Sequence, residues 1–373
     1  MASSVLLSEQ KHEERKDGEL VFPCELGNEV ELPNNCVWSK EYLVQAQGQL
    51  EAPIVDLGGV LRGEQEAIDR AVEQIRDACL VHGFFIVINH GVDDDLIKKA
   101  YERTDAYFKQ PIDTKLRAYK PKGSFSGYSG AHSERFSSNL TWKETLTFLL
   151  PHDNPQPAVR DYFVSTLGQD LYETGDVFQK YCEAMKELGM KMMDLLSISL
   201  GLDQMYLRDF FSDGCSLMRC NYYPFCQVPA EVLGTGPHRD PTSLTILHQD
   251  HVGGLEVFSG DKWFTIEPLP NSFVINIGDT FMALTNGRYK SSRHRAVVNN
   301  QCDRRSLAFF MNPKGDKVVQ PPSDILSLDG TRNYPDFTWS ELAHFTQWHY
   351  RADEFTFPNF LKFRSAKPQA VST

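Results

Sequence analysis

The chain has 373 residues, 41% hydrophobic and 24% charged, which is the composition of a globular protein able to bury a large core without disulfides or structural metals. Its 38 Lys and Arg against 50 Asp and Glu leave a formal charge of −12, so no basic excess exists to neutralise phosphates, and nucleic acid is excluded as the main partner. No stretch approaches the roughly 20 apolar residues of a membrane span. The charged opening "MASSVLLSEQKHEERKDGEL" does not read as a secretion signal. The 8 cysteines include no Cys-x-x-Cys pair and read as free thiols of a reducing compartment, so a cytoplasmic protein is expected.

Residues 1–50 are polar and aperiodic and read as an N-terminal extension, a mobile arm. "APIVDLG" is a short strand. Ile68, Ala71, Ile75, Ala78 and Cys79 recur at helical spacing, which predicts an amphipathic helix from Glu64 to His82. "GFFIVINHG" is rich in β-formers between two glycines and reads as a strand. Leu96, Ala100, Thr104 and Phe108 mark a second helix, stopped by Pro111. A longer one runs from Asp176 to Leu200 with Phe178, Tyr181, Met185, Leu188, Met192 and Leu195 on its apolar face and Gly201 as its stop. Residues 51–213 are thus a helical region with short strands.

From residue 214 the period changes to two. "SLMRCNYY", "TSLTILH", "GLEVF", "KWFTI", "SFVINIG", "RAVVN", "SLAFFMN" and "DKVV" are short β-rich runs, and "GLEVFSGDKWFTIEP" is a hairpin turning at Gly260-Asp261. Short strands without intervening helices across residues 214–322 predict a β-sandwich or closed barrel. Residues 323–373 turn helical again. There Thr338-Trp339-Ser340-Glu341 is a capping box that opens a helix over Leu342 to Tyr350.

His-x-Asp occurs twice, as His238-Arg239-Asp240 and as His248-Gln249-Asp250. In extended chain, side chains two apart point the same way, so either triplet aims two ligands at one point. Pro241 biases Asp240 to extended backbone and Pro237 stiffens the other side, which favours the first triplet. His248 shares a strand face with Leu244 and Ile246 and reads as a strand-end histidine followed by a turn aspartate. A third ligand is at hand in His294, at the start of a later strand. Two imidazoles and one carboxylate form the facial set of non-haem Fe(II) oxygenases, with three coordination positions open, whereas a structural zinc site closes with four ligands. Arg304 and Ser306 share a strand face and suit a carboxylate. Asn221 and Tyr223 are another polar pair on one face. "LGTGPH" lacks the spacing of a phosphate loop, and no Gly-x-Ser-x-Gly nucleophile elbow exists.

"CNYYPFC", "GTGPHRDPTSLTILHQD", "INIGDTFMALTNGRYKSSRHRAVV" and "RRSLAFF" resemble the plant 2-oxoglutarate and Fe(II)-dependent dioxygenases. "NLTWKETLTF" (139–148) is similar to a segment of gibberellin 20-oxidases. The resemblance spans residues 50–365. It implies a mainly β core with flanking helices, a double-stranded β-helix or distorted jelly roll, behind an N-terminal α/β region and ahead of a C-terminal helix. It also implies that His238, Asp240 and His294 bind iron, that Arg304 and Ser306 hold the distal carboxylate of 2-oxoglutarate, and that Asn221 and Tyr223 contact this cosubstrate. Fe(II), 2-oxoglutarate, O₂ and ascorbate as reductant follow from the family, as does a carboxylated diterpenoid substrate oxidised at carbon 20 in successive steps. His132, Arg135 and Lys143, in or near the subfamily segment, are candidate substrate anchors.

Three residues depart from the family pattern. Phe225 stands where a second proline is usual, Thr141 where a proline precedes Trp142, and Arg239 where a cysteine is common. Two alternative functions are the same chemistry on another small molecule, such as a flavonoid or a C19 gibberellin, and a non-catalytic hormone-binding module on the same barrel. No protein partner is legible.

Overall fold

The structure, a computed structural model, describes residues 20–21, 32, 34–132, 139–154, 156–349 and 355–366. Twelve strands carry the argument, numbered in chain order: β1 Ile54–Asp56, β2 Phe84–Ile88, β3 Gly127–Ser129, β4 Glu144–Pro151, β5 Cys215–Tyr223, β6 Thr235–His238, β7 Leu244–Gln249, β8 Leu255–Ser259, β9 Lys262–Ile266, β10 Ser272–Ile277, β11 His294–Ala296 and β12 Arg304–Asn312. They form an eight-stranded sheet in the order β1-β2-β10-β7-β12-β5-β4-β3 and a four-stranded sheet in the order β9-β8-β11-β6. All pairs are antiparallel except β1 with β2. Strands from before and after residue 214 therefore share one sheet.

Alternation explains how the large sheet is covered on both faces. Phe273, Ile275 and Ile277 of β10, with Leu244 and Ile246 of β7, pack into the helix-side core. Val274 and Leu247, one residue out of phase, meet Leu255, Val257 and Ile266 of the small sheet. Four helices matter here: α1 Gln65–Val81, α2 Asp94–Phe108, α3 Ala158–Leu167 and α4 Tyr172–Ser199. The expected apolar face of α4, from Phe178 to Leu195, is buried throughout. Gly189 allows its close approach to β12, since a Cβ there would lie 2.0 Å from the Met311 sulfur.

Several elements differ from the sequence reading. Residues 34–50 are not a mobile arm. Cys36 and Trp38 are buried, the Trp38 backbone N–H donates to the Glu231 carbonyl at 2.8 Å, and its indole donates to the Leu140 carbonyl at 3.1 Å. Two well-placed side chains anchor this polar segment, a signal that carries no period. The first 19 residues lie outside the described part. β4 joins the large sheet although "ETLTFLLP" was not read as a strand. A short helix, α5 Asp279–Leu284, interrupts the strands, all six of its residues buried. "DKVV" yields only Val318–Val319, which pairs with Phe337–Thr338 away from both main sheets.

Other expectations hold. The β8–β9 hairpin closes with Ser259 opposite Lys262. The capping box forms: the Thr338 N–H donates to Glu341 Oε2 at 2.8 Å and the Glu341 N–H to Thr338 Oγ1 at 3.3 Å, opening α6, Trp339–His349. Among the described residues, no helix is long and apolar enough to cross a membrane.

Candidate active site

β6 and β11 pair antiparallel with His238 directly opposite His294, and their rings lie 4.3 Å apart centre to centre. Asp240 follows β6 by two residues. Its Oδ1 lies 3.5 Å from His238 Nε2 and 3.6 Å from His294 Nε2. Each Nδ1 faces a backbone carbonyl, Gly236 for His238 at 2.9 Å and Ser292 for His294 at 3.2 Å. A proton held on Nδ1 leaves Nε2 as a free lone pair. Asp240 Oδ2 accepts from the Thr245 hydroxyl at 2.6 Å and the Asn276 amide at 2.9 Å, which leaves Oδ1 to turn toward the imidazoles.

These three residues are the one group among the described residues whose nitrogen and oxygen donors converge for a metal. Burial, reinforced by His238, pushes the His294 imidazole down to about 4, so it is neutral at pH 7 as a ligand must be. Burial opposes the charge of Asp240, but the two imidazoles and the Thr245 hydroxyl outweigh it and hold this carboxyl well below the ordinary range. An N₂O set of two imidazoles and a carboxylate whose distal atoms are already hydrogen-bonded fits a ferrous ion.

Two cavities meet at this group. The larger, of about 150 Å³, is lined on one side by Thr141, Lys143 and Thr145 and on another by Trp339, Thr346 and Gln347. The smaller, of about 70 Å³, is lined by Asn221, Tyr223, Arg304 and Ser306. Register explains the second set: Arg304 lies opposite Tyr223 and Ser306 opposite Asn221. The Asn221 amide donates to the Ser306 hydroxyl at 3.1 Å, and the Arg304 guanidinium sits over the Tyr223 ring at 5.0 Å. Arg304 is 2% exposed, and among the described residues it makes no ion pair. The Asp250 carboxylate feels this charge without pairing with it, and a buried cation with no direct ion pair calls for an anionic ligand.

Residues 214–313 match the 2OG-Fe(II) oxygenase superfamily, and residues 52–166 match the N-terminal region described for a non-haem dioxygenase in morphine synthesis. Gibberellin 20 oxidase 2 of Oryza sativa subsp. japonica is 50% identical over 341 residues, covering 91% of this chain and 87% of that protein. The chain belongs to the 2OG-Fe(II) oxygenase superfamily. Gibberellin 20 oxidase 2 of Arabidopsis thaliana is 48% identical over 95% of this chain and 94% of its own length. Among solved structures, JOX2 in complex with 2OG, Fe and JA superposes with a TM-score of 0.79 at 29% identity, covering 92% of this chain and 98% of that one. The dioxygenase for auxin oxidation in rice superposes at 0.65 with 28% identity, over 79% and 95%. As a 2OG-Fe(II) oxygenase the protein is an enzyme that uses Fe(II), 2-oxoglutarate and O₂ on a small-molecule substrate, and its two sheets are the expected distorted jelly roll.

Within this oxygenase the second triplet lies elsewhere. His248 faces the helices: its Nδ1 is 2.9 Å from the Tyr101 hydroxyl and its ring packs edge-on against Phe273. Asp250 accepts from the backbone N–H groups of Arg305 and Val252. Lys143 lines both cavities and donates to the Thr235 hydroxyl at 2.9 Å. His132 lies in a two-residue strand paired with Leu20–Val21, and Arg135 falls outside the described residues.

Sequence reasoning missed Arg219, which also lines both cavities. The signal was present, because Arg219 shares the period-two face of Asn221 and Tyr223 on β5. Arg239 lines neither cavity and acts on the buried Asp279 and on Tyr334 instead. Phe225, in place of a proline, supplies an N–H that donates to Asp303 Oδ1 at 2.9 Å and ties down the turn.

Gly278 sits behind the ligand loop. A Cβ there would lie 2.0 Å from the Thr242 carbonyl oxygen and 2.9 Å from that of Asp240, both backbone atoms. Gly278→Ala is expected to displace Asp240 and lower iron affinity by about tenfold or more. Metal titration of the purified variant checks this, and wild-type affinity would refute it.

Proposed function

We propose that this enzyme oxidises carbon 20 of C20 gibberellin precursors in successive steps to C19 gibberellins, with His238, Asp240 and His294 as iron ligands. The reading rests first on relatives named gibberellin 20 oxidases, 45–50% identical over 90% or more of this chain. The observation that carries the chemistry is the converging His238–Asp240–His294 group at the meeting point of two cavities. Bound there, Fe(II) couples the reduction of O₂ and the oxidative decarboxylation of 2-oxoglutarate to succinate and CO₂ with oxidation of a substrate C–H bond. The chain's own residues hold and orient. Arg304 and Ser306 take the distal carboxylate of 2-oxoglutarate, Asn221 and Tyr223 flank it, and Leu247, Leu255 and Phe310 give the smaller cavity an apolar share of its lining. A cytoplasmic location is supported by seven free cysteines among the described residues.

In the larger cavity, Lys143 and Arg219 are the cationic anchors for a substrate carboxylate. Burial and the neighbouring Arg219, opposed by Asp240, push the Lys143 ammonium down to about 7. The sign follows: an anionic substrate binds the protonated lysine, so affinity is full below pH 7 and falls as pH rises through it, by at most about tenfold per unit. Lys143→Met is expected to bind substrate more weakly and to flatten this dependence. Equal pH profiles for the two proteins would remove Lys143 from the site.

The function is tested by incubating purified, iron-loaded enzyme with 2-oxoglutarate, ascorbate and a panel of C20 gibberellins, C19 gibberellins and flavonoids, read by mass spectrometry. Stepwise loss of carbon 20 from the C20 members is the expected result. C20 precursors left untouched would reject it.

A further inference from the structure

Arg304 is a long side chain asked to present one charge at one place from a buried position. Its aliphatic stem packs by Gly254, where a Cβ would lie 3.4 Å from Arg304 Cδ. One face of the guanidinium lies over Tyr223. Its single hydrogen bond among the described residues runs from Nη2 to Gln249 Oε1, at 3.2 Å. The other end of that amide is occupied too, since Gln249 Nε2 donates to the Ile266 carbonyl at 3.3 Å. Gln249 belongs to β7 of the large sheet and Ile266 to β9 of the small one, so the amide spans the two sheets. It lines neither cavity.

We infer that Gln249 is the positioning residue of the 2-oxoglutarate site: it aims Arg304 at the cosubstrate from behind and keeps its charge unspent. The inference rests on Arg304 as the carboxylate ligand. The choice of an amide has a physical reason. A neutral acceptor fixes the guanidinium without neutralising it, and its N–H anchor sets which end of the amide faces the arginine. A carboxylate at this position would still bond Arg304, but it would lose the donor to the Ile266 carbonyl and supply an internal counter-ion, and a cation already paired gains less from the carboxylate of 2-oxoglutarate. An apolar side chain of equal length would leave the charge free but the aim loose.

This ordering separates positioning from mere packing. If Gln249 only fills space, the isosteric Gln249→Glu is as mild as any change or milder than Gln249→Met. If it positions an uncompensated charge, Glu is the worse of the two.

The test is calorimetric binding of 2-oxoglutarate to Mn(II)-loaded full-length protein under anaerobic conditions, with metal affinity and melting temperature measured beside it. Gln249→Glu is expected to weaken 2-oxoglutarate by about tenfold or more and Gln249→Met by about threefold, with Mn(II) affinity unchanged in both. Glu binding as tightly as Met, or both binding as the wild type does, overturns the inference. Should the Glu variant fail to fold, the Met variant decides alone: wild-type affinity overturns it, and a threefold loss with intact metal binding supports it. Arg304→Met is the control for the reading beneath. If that variant binds 2-oxoglutarate normally, Arg304 is not the ligand and the reading itself fails; if it alone loses binding while both Gln249 variants are normal, only the role of Gln249 falls.

Discussion

His238→Ala is expected to abolish iron binding and turnover, whereas His248→Ala keeps both and loses stability. The two histidines stand ten residues apart in near-identical triplets, but His238 ends β6 of the small sheet, whereas His248 lies in β7 of the large sheet and faces the helices. His238 lies opposite His294 with Asp240 Oδ1 at 3.5 Å, so its removal takes away one of the three proposed protein ligands. Loss of a group that merely orients a ligand already lowers metal affinity by about 10–100-fold, so loss of a ligand exceeds that. His248 contacts Tyr101 and Phe273 in the helix-side packing. Truncating it opens a small void and takes away one partner of the Tyr101 hydroxyl, which keeps its bond to the His248 backbone carbonyl at 3.1 Å, a change of about 1–3 kcal/mol. Metal titration and thermal unfolding of the two variants check the pair of claims. An iron-free His248→Ala protein, or a His238→Ala protein with normal iron content, would show that the wrong triplet had been chosen.

Arg304→Met gives the second large effect, and its two readouts move in unlike directions. A guanidinium 2% exposed, with no direct ion pair among the described residues and only the charge of Asp250 acting on it at a distance, is poorly solvated. Replacing it with an apolar side chain of similar length relieves that burden, so the melting temperature stays level or rises. The same change removes the charge-assisted hold proposed for the cosubstrate carboxylate, and 2-oxoglutarate affinity is expected to fall by about 100-fold. Loss of binding together with loss of stability would mean that Arg304 serves the fold rather than the cosubstrate. Iron content is expected to stay normal, because Arg304 touches none of the three ligands.

Strand period, helix period and local signals made much of this molecule readable in advance. The α4 face, the β8–β9 hairpin and the Thr338–Glu341 capping box depend on residues a few positions apart, and their physics is contained in a short window of chain. The donor set was only partly legible: His-x-Asp is a local motif but occurs twice, the flanking prolines only favoured the first triplet, and the family resemblance carried most of the choice. β4 was missed although its signal was present: Leu146, Phe148 and Leu150 alternate with Thr145 and Thr147 and enter the helix-side core. α5 escaped because all six of its residues are buried and give no amphipathic contrast.

By itself, then, the order of amino acids determined which residue types could form an iron centre, and which short segments would be strands or helices. Only the tertiary structure decided that His294 lies across from His238, that His248 turns to the helices, that Arg219 and Lys143 enter one cavity, and that Gln249 reaches Arg304 from 55 residues away. The reason is that strand pairing and sheet stacking join positions whose separation along the chain has no bearing on their distance in space. A period of two says that a side chain faces one side or the other; which side holds the metal is fixed when the second sheet closes over it.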